Sequence, residues 1–130
     1  MDLKRLGQIS DSFNLQMPKG VFLSARDEDK DNVMTIGWGS IGVMWGKPVL
    51  TVVVRYSRYT AELLKNSDVF TVSVPKAGDM KEELRICGKV SGRDIDKFEK
   101  AGLTKAQGRT VNAPVILGCE TQFECKILYR

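Results

Sequence analysis

Two basic clusters hold the residue types best suited to chemistry. The first is RYSRYT, Arg55 to Thr60, which follows a β-branched run and opens a predicted helix. A helix N-terminus offers unpaired backbone N–H groups and partial positive charge. Ser57 and Thr60 add hydroxyl donors, and Arg55 and Arg58 can fork onto phosphate oxygens. Tyr56 and Tyr59 can lie against a flat ring or donate a hydrogen bond. The cluster suits an anion; the alternative is a capped surface helix with solvated arginines, and spacing alone does not separate the two. The second cluster is CGKVSGRDIDK, Cys87 to Lys97, with two glycines, a serine and three cations leading into another predicted helix. It lacks the glycine spacing of a P-loop, so by itself it reads as a turn and cap. Two such loops in one small chain point more firmly to an anion than either does alone.

A third stretch, Asn32 to Gly42 (NVMTIGWGSIG), is rich in glycine and uncharged. It could lay backbone N–H and C=O groups against a flat apolar ligand. Residue type favours the plainer expectation, a bulged strand with Trp38 and Trp45 in the core. Cys87 reads as a small packing residue, since a reactive thiol needs a basic and partly open setting. Asp27, Glu28, Asp29 and Asp31 do not follow calcium-loop spacing and read as a solvated turn.

Composition narrows the chemistry further. The 130 residues contain no histidine, which excludes Ser-His-Asp and Cys-His catalysis within the chain and any zinc site needing imidazole. Acid–base work would fall to a carboxylate, Lys, Tyr, Cys or a cofactor. The three cysteines, Cys87, Cys119 and Cys125, show no CxxC spacing and suit reduced thiols of a cytoplasmic protein. A net charge of +4, with 28% charged residues, suits an anionic ligand but is too dispersed for a nucleic-acid protein. Met1 to Ser10 has no signal-peptide block, and Val33 to Val54 is broken too often by glycine to span a membrane.

These residues need elements to position them. Strands are expected over Gly20 to Ala25, Val33 to Val43, Pro48 to Val54, Val69 to Val74, Thr110 to Leu117 and Thr121 to Tyr129. The continuous run Pro48 to Val54 should be buried on both faces, and the alternating Val69 to Val74 on one. Arg26 to Asn32 should be a hairpin loop. Short helices are expected from Ser57 or Thr60 through Leu64, from Asp79 to Gly88, and after a cap at Asp94, with Gly102 just past the last. Strands in sequential groups favour an antiparallel barrel with helical excursions, in a single domain over residues 1–130.

Three segments in order, NVMTIGWGSIGVMWGKPV (Asn32 to Val49), VVVRYSRYTAELLKNSDVFTVSVP (Val52 to Pro75) and CGKVSGRDIDKF (Cys87 to Phe98), resemble the flavin reductase-like family, which includes the flavoredoxins. The likeness is collinear from Pro18 to the closing FECKILYR. It implies a mainly β fold with short helices, an FMN-binding split β-barrel of antiparallel, Greek-key-like form. It also implies a homodimer with FMN near the interface, NAD(P)H or another electron donor, and an electron-acceptor protein as a possible partner, with no nucleic acid or membrane. Carried over by motif, Asn32, Thr35 and Trp38 would lie along the flavin. Arg55, Ser57, Arg58, Tyr59 and Thr60 would hold its phosphate end. Lys97 would be another FMN contact, with Ser91 and Arg93 nearby. Similar proteins continue past the point matching Arg130 with further strand, helix, histidine and aromatic residues, so the expectation is an open barrel that either is a truncated form of the family domain or has its gap filled by a partner or second subunit. The alternative function is a flavin-free dimeric binding or structural module on the same fold.

Overall fold

The computed structural model describes residues 1–130. Asp2 sets the first element: its side chain accepts from the Arg5 N–H at 2.8 Å and caps helix α1, Leu3–Gln16. No sequence expectation covered this helix. A short 3-10 turn, Met17–Lys19, with Pro18 near its start, leads to Gly20 at φ 110°. Glycine is required there twice over, because a Cβ would also lie 2.8 Å from Thr35 Cγ2.

Strands β1 (Val21–Asp27) and β2 (Lys30–Ile36) form a hairpin in which Asp27 faces Lys30 across a turn at Glu28 and Asp29. The expected loop is therefore mostly strand. Asp31 is not a solvated turn residue: Arg26 Nε lies 2.6 Å and Lys105 Nζ 3.0 Å from its carboxylate oxygens. The expected strand Val33 to Val43 is two strands, broken at Gly37 and Trp38. The second, β3 (Gly39–Met44), pairs with β4 (Lys47–Val52) around Trp45 and Gly46, both at positive φ. Then come α2 (Tyr59–Lys65), β5 (Val69–Val74), α3 (Lys81–Lys89) and α4 (Lys97–Lys100). A small hairpin, β6 (Lys105–Gln107) with β7 (Pro114–Ile116), and β8 (Thr121–Lys126) complete the chain.

The main antiparallel sheet runs β2-β1-β5-β8, and the β3-β4 and β6-β7 hairpins are separate. Alternation along the central strands feeds two cores. On one face, Phe13 of α1 packs with Leu23, Met34, Val72 and Phe123; the Phe13 and Phe123 rings meet edge to face at 5.8 Å. On the other, Phe22 and Val33 pack with Leu84 and Cys87 of α3, Phe98 of α4 and Ile116 of β7.

This layering reverses two burial expectations. Strand β4 is only part-buried, because its hairpin lies outside the main sheet. Strand β5, expected to be half-buried, has both faces covered. Its polar positions are satisfied inside: Thr71 Oγ1 donates to the Pro114 carbonyl, and Ser73 Oγ accepts from the Ile116 N–H at 3.1 Å. The sheets do not close into a complete ring. No helix is long and apolar enough to cross a membrane.

Candidate functional site

The candidate site straddles the edge strand β2. Asn32 and Thr35 lie three residues apart, so their side chains leave opposite faces of that strand. Asn32 Nδ2 donates to Thr60 Oγ1 at 2.9 Å and ties β2 to the first turn of α2. Thr35 Oγ1 donates to the Leu84 carbonyl at 2.6 Å and ties β2 to α3. Both contacts hold helices against the strand, and Asn32 and Thr60 are buried.

Two cations meet where the C-terminus of α3 comes round this edge. Arg58 donates through Nη1 to the Gly88 carbonyl at 3.2 Å and through Nη2 to the Cys87 carbonyl at 3.4 Å. Lys97 Nζ donates to the same Cys87 carbonyl at 2.9 Å. Final helix carbonyls lack intrahelical partners and carry partial negative charge, so cations suit them. Neither cation pairs with a carboxylate. Asp96, next to Lys97, is used instead as the cap of α4, accepting from Phe98 N–H at 2.9 Å and Glu99 N–H at 3.3 Å. The cap is thus Asp96 and not the expected Asp94. Lys97 is 2% exposed, and burial, with the charge of Arg58 beside it, pulls its ammonium down to about 8.

Two adjoining cavities open on these residues. The smaller, about 240 Å³, is basic, with Asn32, Tyr59, Thr60, Ser91, Arg93 and Lys97 in its lining. The larger, about 360 Å³, is lined by Thr35, Ile36, Trp38, Val53 and Arg55 among others. Ser57 and Arg58 belong to both. All eleven residues nominated from sequence, drawn from segments up to 65 positions apart, therefore line these two adjoining cavities.

Some roles differ from those expected. Neither Ser57 nor Thr60 caps α2; Arg58 stands at that position without a side-chain cap bond, and the Thr60 hydroxyl is turned inward to Asn32. Met80, at φ 59°, stands before α3 where Asp79 was expected. Trp38 and Trp45 are not core residues: they are 66% and 94% exposed, since Trp38 stands at the base and Trp45 at the tip of a hairpin that lies outside the main sheet. Trp38 instead holds the Arg55 guanidinium 6.0 Å from its ring centroid. Cys87 is buried as expected for a packing residue, and burial lifts its thiol to about 11 despite the nearby Lys97 charge.

Eight lining residues were not nominated, and two of them are glycines packed closely against nominated side chains. Gly88 lies against Thr35, and a Cβ on Gly92 would come 2.6 Å from Asn32 Cγ and 2.9 Å from Tyr59 Cδ2. Their signal was the pair of glycines in CGKVSG, a sign of close backbone approach.

The open antiparallel sheets with short helices form the split-barrel fold of flavin reductase-like proteins, with a basic depression at one strand edge. The FMN-binding domain of a flavin reductases-like enzyme from Shewanella baltica superimposes with TM-score 0.78 at 25% identity, over 94% of this chain and 64% of that one. A flavoredoxin from Methanosarcina acetivorans gives TM-score 0.73 at 33% identity, over 85% and 57%. An uncharacterized protein of Archaeoglobus fulgidus is 32% identical over 111 residues, 85% of this chain and 62% of that protein. The family model described as "Flavin reductase like domain" matches residues 15–130. The chain belongs to the flavin reductase-like family, and it spans about three fifths of the length of these relatives.

Proposed function

We propose that the chain holds FMN in a cytoplasmic oxidoreductase that passes electrons from NAD(P)H or another donor to flavin or to an acceptor protein. The observation that carries this reading is Lys97, buried beside Arg58 with no carboxylate to neutralise either. Burying an uncompensated cation is costly, and a phosphate supplies the missing counter-charge. Lys97 has three N–H donors and Arg58 five, so bonds to the α3 carbonyls leave donors free for phosphate oxygens. Ser57 and Ser91 add hydroxyls at the same cavity. The flavin ring suits the larger cavity, where Trp38, Ile36 and Val53 offer apolar surface and the strand β2 offers backbone groups. When bound, FMN supplies the hydride and electron chemistry. The chain's own residues bind the phosphate, orient the ring along β2 and brace β2 against α2 and α3.

A homodimer with FMN near the interface belongs to the same proposal. Trp38 and Val53 flank the base of the β3-β4 hairpin and line the larger cavity, while exposed Val43, Met44 and Trp45 continue the apolar surface to its tip. A surface of this kind is unusual on a monomer. A second copy laid there would also cover the open side of the cavity.

The test is flavin titration of the purified chain, followed by visible absorption, then mixing with NADH and NADPH. FMN should bind, and bleaching by a nicotinamide would mark a reductase where no bleaching would mark a carrier. A colourless protein that takes up no flavin would overturn the reading in favour of the flavin-free module.

A further inference from the structure

The rim of the basic cavity carries a contact that flavin binding as such does not require. Arg93, in the loop after α3, lines the cavity and is bonded to Ser57 and to Glu62 of α2. Its Nη1 donates to the Ser57 carbonyl at 3.2 Å, its Nη2 pairs with Glu62, and its guanidinium carbon sits 5.6 Å from the Tyr59 ring centroid. Beside it, Gly92 is seated on Asn32 and Tyr59 with no room for a side chain. Burial gives the order from inside to outside. Lys97 and Thr60 are 2% and 0% exposed at the floor, while the Arg93 and Glu62 side chains are 41% and 49% exposed at the rim. The loop and α2 are two walls, and Arg93 is a strap between them.

Charge and size point the same way. Glu62 pairs with Arg93, whereas Arg58 and Lys97, which share the Cys87 carbonyl, have no carboxylate partner. Two positive charges converging on one carbonyl match a terminal phosphomonoester, which carries about −1.5 to −2 near neutral pH. A phosphate inside a diphosphate linkage carries one charge and continues into a second group. At about 240 Å³ the cavity falls below the range of a whole-ligand pocket, roughly 300–1,000 Å³, and so takes one end of a ligand.

Resting on the flavin reading, we infer that the Arg93–Glu62 strap makes this cavity select FMN over FAD, because it closes the path that a phosphate continuing into a nucleotide would need. The strap is held by exposed groups, so it can be removed without disturbing the core.

The experiment is fluorescence titration of the wild-type chain, Glu62→Gln and Glu62→Ala with riboflavin, FMN and FAD, with a thermal melt of each variant. Wild type should bind FMN at least about tenfold more tightly than either FAD or riboflavin. In both variants the FMN-to-FAD preference should narrow by about fivefold or more, with FMN affinity staying within about threefold. Wild type that binds FMN and FAD alike, or a preference unchanged in both variants, overturns the strap while leaving flavin binding intact. Wild type that binds none of the three overturns the flavin reading and the strap together.

Discussion

Lys97 concentrates the electrostatic argument in one side chain. Replacing it with Met keeps the length and removes the charge. A lost charge-assisted contact of about 1.5–3 kcal/mol should weaken FMN binding roughly ten- to hundredfold, while riboflavin, which has no phosphate, should bind almost as before. Isothermal titration with both ligands checks this. The pH dependence follows from the lowered value of about 8. Unfolded, Lys97 keeps its proton to the ordinary lysine range; folded, it releases it earlier. Between the two the unfolded state binds more protons, so the cost of burying the charge is present in full below about pH 8 and fades as pH rises above it. The ligand feels the opposite: FMN affinity should fall above about pH 8, and Lys97→Met should flatten that fall. Titrations at stepped pH on both proteins decide it.

Elements place these residues, and two contacts between elements can be tested. Gly92→Ala pushes a Cβ onto the Tyr59 ring and onto Asn32, which is buried and bonded to Thr60. The expected cost is about 1–3 kcal/mol of stability, with weakened FMN binding, because the loop must lift away from α2. Denaturant unfolding and flavin titration measure the two effects. Asp31 joins the β1-β2 hairpin to β6: burial pushes its carboxyl up, but hydrogen bonds from Arg26 and Lys105 outweigh this and hold it below the usual range. Its contribution is present above the unfolded carboxylate value and is lost as pH falls through the folded one. Asp31→Asn should therefore lower the melting temperature at neutral pH, with the gap to wild type closing in acid.

At the scale of the whole molecule the exposed hairpin is where the proposed second copy would lie. Trp45, at 94% exposure, touches little in the monomer. Trp45→Asp should leave the melt of an isolated chain unchanged but shift sedimentation from dimer toward monomer, and weaken FMN binding if the second copy covers the larger cavity. A wild-type chain that sediments as a monomer at every concentration would remove the homodimer from the proposal.

Much of the site was legible in the linear chain. RYSRYT and CGKVSGRDIDK held residues that the fold brings to adjoining cavities, and β-branched or alternating runs marked most strands to within a few positions. Gly102, at φ 68°, stands past α4 as its spacing required. Helix α1 was missed because polar residues crowd its sequence and its apolar Leu6 and Phe13 are spaced too widely to announce a face. Local pattern reports which positions are apolar, but burial depends on what another part of the chain lays over them. For that reason only the tertiary structure put both faces of β5 inside and left β4, Trp38 and Trp45 at the surface. The amino-acid sequence by itself determined the residue types of two basic loops and a glycine-rich strand. The fold decided that they meet around one strand edge, with Lys97 buried and lacking a counter-charge, because distance between charges is set by packing and not by position along the chain.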